Sequence, residues 1–331
     1  MTAAMTEHPY DSLTPEAVME AVESRGLLCD ARLLALNSYE NRVYQVGIED
    51  DVPLVAKFYR PQRWTRDQIE EEHAFTLELA EADISVVAPL PDGDGNTVSE
   101  FGGFLFALFP RRGGHAPELD NLDNLLVLGR TVGRIHAAGR ARPFEHRLAM
   151  EPQRWLTDSY QFVAEHAVPA DLRTAYVTLV EDLQTRVLEH WRDIHPIRCH
   201  GDCHVGNILW RDETAHFVDL DDCVAAPAVQ DLWMFLSGDR PQQLLQLDEL
   251  LAGYEEFCDF DSRELKLIES LRTIRMVHYA AWLGRRWSDP AFPKSFPWFG
   301  DARYWSSHIL ELREQLAAFD EPPLSLSPQG L

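Results

Sequence analysis

The sequence contains no apolar run long enough to cross a bilayer. Its longest largely apolar stretch, Phe101 to Phe109, falls far short of the about 20 residues a spanning helix needs. Positive charge is scarce: 30 Lys and Arg stand against 54 Asp and Glu, a formal net charge of -24. A nucleic-acid backbone or an anionic membrane is on average repelled by such a chain, so neither is an expected partner. Cysteine is limited to Cys29, Cys199, Cys203, Cys223 and Cys258. An odd, scattered set in a chain of this length excludes a disulfide-stapled module and makes reduced thiols the simpler reading. Two phosphate-binding motifs are missing, the Walker form G-x-x-x-x-G-K followed by Ser or Thr, and G-x-G-x-x-G. There is no internal repeat and no low-complexity linker. Met1 to Ser12 carries acidic residues and no apolar signal core, so the expected compartment is the cytoplasm.

What is present is enough for two lobes, 331 residues of which 45% are hydrophobic. Thr14-Pro15-Glu16-Ala17 opens a first helix, with Thr as N-cap, Pro at the first helical position and Glu in the first turn. Short alternating segments follow at 33–36, 42–46 and 52–58 and read as antiparallel strands; 86–90 and 104–109 complete a five-stranded small lobe. The turn at 92–96 joins the last two strands, and 109–114, rich in Gly and containing Pro110, has the composition of a hinge. Beyond it the apolar spacing becomes helical, over 119–138, 172–191, 242–257 and 262–283. The expected architecture is α+β and bilobal, with a small N-terminal antiparallel sheet lobe over 1–110 and a larger, mainly helical lobe over 111–331. A Pro-rich tail follows Glu321.

The chemistry concentrates in Cys199-His200-Gly201-Asp202-Cys203-His204-Val205-Gly206-Asn207 and in Phe217-Val218-Asp219-Leu220-Asp221-Asp222. Asp202 and Asn207 stand five apart, as do the catalytic Asp and metal-binding Asn of the kinase pattern H-R-D-L-x-x-x-N. A carboxylate there suits the proton of an attacking hydroxyl, and an amide oxygen five residues on suits a magnesium ion bridging phosphates. Asp219 takes the place of the Asp of D-F-G. Taken singly these are turn formers and surface carboxylates; their joint spacing argues for phosphoryl transfer, with His200 bracing the loop.

The small lobe supplies complementary groups. Val55-Ala56-Lys57-Phe58 puts one Lys on an apolar strand, close to the V-A-I-K form whose Lys holds the α- and β-phosphates of ATP. A buried ammonium needs a carboxylate, and Glu72 shares the inward face of the helix at 66–80 with Ile69, Thr76 and Leu79. Glu72 is therefore the expected partner and Glu71 the fallback. Asn37-Ser38-Tyr39-Glu40-Asn41 occupies the place of a phosphate-covering loop, where Asn37, Ser38 and exposed amides would contact phosphate; an ordinary hairpin turn is the alternative. Asp231, in Gln230-Asp231-Leu232-Trp233, could accept amide hydrogen bonds from the catalytic turn; an ordinary carboxylate at a helix N-terminus is the alternative. Cys199, His200, Cys203 and His204 could ligate zinc, but no second Cys/His pair at zinc-knuckle spacing accompanies them. Three basic residues, Arg285, Arg286 and Lys294, with aromatics between Trp282 and Trp298 suit either core packing with snorkelling Arg stems or an acceptor groove.

These stretches resemble the bacterial stress response kinase A family, within the aminoglycoside phosphotransferase and choline kinase-like group. The resemblance spans nearly the whole chain through 37–44, 57–61, 200–204, 207–212, 217–222, 230–234 and 289–294, with Gly201 replacing the usual Arg as phosphotransferases do. It implies phosphorylation of protein Ser or Thr in stress responses, with ATP and Mg2+ as cofactors. Asp202 would be the base, Asn207 and Asp219 the metal ligands, and Asp221 would match the second acidic position of the group's pattern. A protein substrate and a monomeric state are expected. A small-molecule acceptor, aminoglycoside, choline or sugar-like, is the alternative, and a non-catalytic ATP-binding regulator is a third.

Overall fold

The chain divides into two units, and neither is one continuous stretch of sequence. The first holds the residues up to Pro117 with Phe144–Arg147 and Gly206–Cys223; the second holds Glu118–Pro143, Leu148–Val205 and the residues from Val224 onward. The structure, a computed structural model, describes residues 10–325. Most of the stretch Met1 to Ser12 and the end of the Pro-rich tail lie outside that range. The sequence suggests lobes over 1–110 and 111–331; the units differ by keeping 144–147 and 206–223 with the first.

In the first unit, α1 (Pro15–Glu23) starts as its sequence predicts, the Thr14 side chain accepting a hydrogen bond from the Ala17 amide. Strands β1 (Cys29–Ala35), β2 (Arg42–Ile48) and β3 (Leu54–Phe58), helix α2 (Arg66–Glu81), and strands β4 (Ser99–Phe101) and β5 (Phe104–Pro110) follow. The five strands form one antiparallel sheet in the order β1-β2-β3-β5-β4. Its core joins Val18, Ala21 and Val22 of α1 to Val46, Ala56, Phe58, Phe106 and Leu108 of the sheet, with Phe58 and Phe106 stacked at 5.3 Å. A capping box of Thr65 and Gln68 opens α2, whose inward face carries Ile69, Glu72, Phe75, Thr76 and Leu79.

The expected strand at 86–90 is a correction: the fifth strand is β4. Pro89 and Pro91 remove backbone donors on either side of Leu90, and Val86 makes only an isolated bridge, to Phe217.

The second unit begins with α3 (Leu122–Gly139), α4 (Asp158–His166), α5 (Arg173–His190) and strand β6 (Ile197–Cys199). The chain then returns to the first unit for the hairpin β7 (Ile208–Arg211) and β8 (Thr214–Phe217). Backbone hydrogen bonds tie that hairpin to the unit it joins: Val87 N to Phe217 O, Phe217 N to Ser85 O, and a reciprocal pair between His115 and Trp210. Strand β9 (Val224–Ala226), α6 (Arg240–Tyr254), α7 (Ile268–Arg285), α8 (Ala291–Ser295) and α9 (Ala302–Ala318) complete the second unit, β9 pairing with β6.

Helices α3 and α6 approach closely because glycines line their contact. A Cβ at Gly129 would strike the Leu250 carbonyl oxygen, one at Gly133 would lie 2.5 Å from that of Tyr254, and one at Gly253 would strike that of Leu126. Gly129→Ala is therefore expected to cost about 1–3 kcal/mol by overpacking, lowering Tm in thermal unfolding by several degrees. Gly93→Ala, where a Cβ meets nothing within 4 Å, should leave Tm unchanged; equal Tm values for both variants would contradict this packing.

Candidate active site

Lys57 sits on β3 between Val43 of β2 and Ala107 of β5. Its side chain is buried, 9% exposed, so water does not neutralise its charge. Two carboxylates from the segment after β8 do so. Asp219 Oδ1 lies 2.6 Å from Lys57 Nζ, and Asp221 forms a second ion pair with the same ammonium. Burial alone would lower the Lys57 pKa, but Asp219, Asp221 and the nearby Glu72 hold it well above the usual ammonium range.

The expected Lys57–Glu72 ion pair is not formed, nor is the Glu71 fallback. Glu71 instead accepts the backbone amides of Glu145, His146 and Arg147, at 2.6, 2.8 and 2.6 Å. Glu72 lies buried nearby with one carboxylate oxygen lacking a hydrogen-bond partner. Burial and the Asp221 charge push its carboxyl up out of the usual range, against the opposing pull of Lys57. The physical reason is reach: two carboxylates brought in by a distant segment already satisfy Lys57.

Asp221 is the more enclosed carboxylate. Besides Lys57 it accepts the Asn41 amide, and Arg63 Nη1 lies 3.7 Å away. Burial would raise its pKa, but Lys57 and Arg63 hold it below the ordinary carboxylate value. Asp219 is different, with its side chain half exposed and its backbone left-handed at φ 60°, a conformation that costs a non-glycine residue energy and turns the chain sharply. Asp222 takes Arg63 Nη2 at 2.5 Å. The loop before β2 joins this network through Asn41, whose Oδ1 accepts the Arg60 amide at 3.1 Å. Ser38 donates to the Asn41 carbonyl at 3.2 Å, and Asn37 is exposed beside it. Asn207 begins the hairpin, its carbonyl accepting the Val218 amide at 3.0 Å. Lys57, Asn207, Asp219 and Asp221 thus belong to one unit.

Asp202 belongs to the other. It follows β6 after Gly201, whose φ of 88° is open to glycine at little cost. The turn is held from beneath by buried Asp231, which accepts the His200 amide at 2.6 Å and the Gly201 amide at 2.8 Å. His136 Nε2 lies 3.0 Å from the same carboxylate and its Nδ1 lies 3.0 Å from the Tyr254 hydroxyl. Gln230 donates to the Gly201 carbonyl at 2.6 Å. The side chain of His200 is itself fully buried. His136, Cys199 and Asp231 bring possible metal-ligand atoms within 4.8 Å of one another, but both His136 ring nitrogens are engaged in hydrogen bonds, which accounts for the cluster without a metal. Cys199 and Cys203 are buried free thiols.

Arg275 on α7 approaches Asp202 Oδ1 at 2.6 Å, and His204 Nε2 lies 3.4 Å from Oδ2. Burial would raise the Asp202 pKa; His204 and Arg275 instead hold it far below the usual carboxylate range, so it is ionised at neutral pH. Arg275 carries no local sequence signal, because it lies 73 residues from Asp202. Arg63 and Arg147, which engage the segment 219–223, carry no such signal either, and Asn41 is marked only as part of the 37–41 loop.

Residues 32–268 match the family described as Phosphotransferase enzyme family, and the chain belongs to that family. It is 46% identical over 321 residues to "Stress response kinase A" of Escherichia coli (strain K12), covering 96% of this chain and 97% of that one. Identity and coverage are the same for "Serine/threonine protein kinase RdoA" of Salmonella typhimurium (strain LT2). Among solved structures, an amicoumacin kinase in complex with AMP-PNP, Ca2+ and Ami aligns with TM-score 0.71 at 18% identity, over 92% of this chain and 94% of that one. A microcompartment-associated aminopropanol kinase aligns with TM-score 0.68 at 18% identity, over 91% and 95%. The fold is that of the aminoglycoside kinase-like enzymes.

The raised Glu72 carboxyl has a consequence for stability. An unfolded Glu releases its proton near pH 4.3 and the folded one later, so Glu72 favours the fold most below that pH. Its contribution is lost progressively as pH rises towards the raised folded value. Glu72→Gln removes this slope: urea unfolding of the ligand-free protein from pH 5 to 8 should show the variant gaining on wild type as pH rises. A pH-independent difference would contradict the environment described for Glu72.

Proposed function

We propose that the protein is an ATP-dependent serine/threonine protein kinase of the stress response kinase A type. The observation that supports phosphoryl transfer best is the buried Lys57 ammonium held between Asp219 and Asp221. The protein acceptor is supported by the 46% identity to relatives named as stress response and serine/threonine kinases.

In this reading Lys57 holds the α- and β-phosphates of ATP, with Asn37, Ser38 and backbone amides of the 37–41 loop covering the triphosphate. Glu72 is the carboxylate to which Lys57 turns when phosphate draws it from Asp219. Asn207, Asp219 and Asp221 offer only oxygen donors, the set a hard divalent cation takes, and the half-exposed Asp219 is the more accessible of the two carboxylates. They would hold Mg2+, which when bound neutralises charge on the β- and γ-phosphate oxygens. Asp202 orients the acceptor hydroxyl and takes its proton as the new O–P bond forms and the bond from the γ-phosphorus to the β-bridging oxygen breaks, releasing ADP. Its low pKa makes it a weak base, which suits a loose transition state in which the proton leaves late. His200 and Asp231 hold its turn in place. The protein works as a monomer in the cytoplasm, its acidic surface disfavouring nucleic acid and membrane.

Asp202→Ala should bind nucleotide as wild type does and lose transfer to a protein acceptor by about 10²–10⁴-fold, while Asp219→Ala should lose the magnesium dependence of nucleotide binding. Labelled ATP with a protein mixture reads the first and calorimetric titration of ATP with and without Mg2+ the second. Undiminished transfer by Asp202→Ala would remove Asp202 from the reaction.

A further inference from the structure

A basic and aromatic face on α7 begins at the Asp202 carboxylate and is not explained by the phosphoryl-transfer machinery. Arg272, Arg275, Tyr279 and Trp282, with Arg286 just past the helix end, recur at steps of three and four residues, which places them on one side of the helix, Arg272 being paired with Glu269 at 3.4 Å. Arg275 and Tyr279 are exposed, in a chain whose net charge is -24. Trp282 stacks on Tyr279, ring centroids 5.6 Å apart at 20°, and Arg286 lies 5.6 Å above the Trp282 ring. The aromatic surface continues through Phe296, 5.9 Å from Trp282, to Trp298, 6.0 Å farther on and 41% exposed. An ordinary core would bury Tyr279 and Trp298, each 41% exposed here, and an acidic pocket for a cationic acceptor would not place an Arg on the base.

We propose that this face is the acceptor-docking surface, and that it selects polypeptide segments bearing an acidic side chain close to the phosphorylated Ser or Thr and an apolar or aromatic side chain beyond it. Arg275 is the specificity-determining residue. Its guanidinium occupies Asp202 Oδ1 at 2.6 Å, an oxygen that the acceptor hydroxyl needs. A carboxylate on the acceptor offers Arg275 an alternative partner and frees Asp202, whereas a basic acceptor side chain adds repulsion and leaves the ion pair closed. Along the helix, at 1.5 Å per residue, Tyr279 and Trp282 lie about 6 and 10 Å beyond Arg275. An extended peptide covers that in about two or three residues, which sets the spacing between the acidic and the aromatic side chain.

This inference rests on the protein-kinase reading, and the test separates the two. Peptides of one sequence, with a single Ser flanked at two residues by Glu, Gln or Lys and followed by Trp, are assayed for transfer from labelled ATP with wild type, Arg275→Ala and Arg275→Glu. The same peptides, fluorescently labelled, are assayed for binding by anisotropy. A charge-assisted hydrogen bond of about 1.5–3 kcal/mol corresponds to a preference of about 13- to 160-fold in kcat/KM for Glu over Lys in wild type. Arg275→Ala should abolish it and Arg275→Glu should reverse it. The proposal is overturned if Arg275→Ala keeps the wild-type preference or if wild type shows none. Charge-dependent binding that follows Arg275, without phosphorylation of any peptide, upholds the docking surface and sinks the protein-kinase reading instead. Because Arg275 is exposed, both variants should unfold within a few degrees of wild type.

Discussion

Everything in the first unit depends on how one buried ammonium is neutralised. Lys57 stands in the middle of an apolar sheet, where an unpaired charge would cost several kcal/mol. Its two partners are 162 and 164 residues farther along the chain. That requirement explains why Gly206–Cys223 folds with the N-terminal sheet and not with the helices that flank it in sequence. A fragment ending at Pro117 would contain Lys57 without Asp219 or Asp221, so the sheet and the hairpin that completes it form one stability unit. The same arrangement concentrates charge at a site with little water to screen it. Asp221, Asn41, Arg63, Asp222 and Glu40 lie close around Lys57 and its partners, a network in which removing one member strands another.

The second unit solves a different problem. The position of Asp202 is fixed by backbone contacts made to its neighbours His200 and Gly201. Asp231 accepts two successive amides of the turn and is itself satisfied by His136. The side chain of Asp202 is left to Arg275 and His204. Rigid backbone beneath an accessible carboxylate is the arrangement pre-organisation requires.

Much of this was legible in the sequence, for reasons that can be traced residue by residue. Spacing alone put Asp202 and Asn207 on one loop and Asp219 and Asp221 just after the next strand, because local chain geometry fixes those distances. The cap at Thr14 and the inward face of α2 are also short-range or strongly patterned features. The partner of Lys57 was misread because Glu72 lies at the right helical position, while the carboxylates that win are remote in sequence and near only in the fold. The stretch 86–90 looked like a strand by its apolar residues, but its prolines deny it a ladder and the edge passed to Ser99–Phe101. Arg275 carried no local signal, since a solvent-facing Arg on a helix is ordinary until the structure sets it on a carboxylate.

The central claim is that Lys57 and the 219–222 segment act as one electrostatic unit. A double-mutant cycle on Lys57→Met and Asp221→Asn, read by urea unfolding at neutral pH, tests it most directly. Each single change leaves a buried charge short of its counter-charge and the double change removes both, so the account predicts a coupling energy of about 1–3 kcal/mol, with the double variant more stable than the sum of the single losses allows. Additivity within about 0.5 kcal/mol would contradict it.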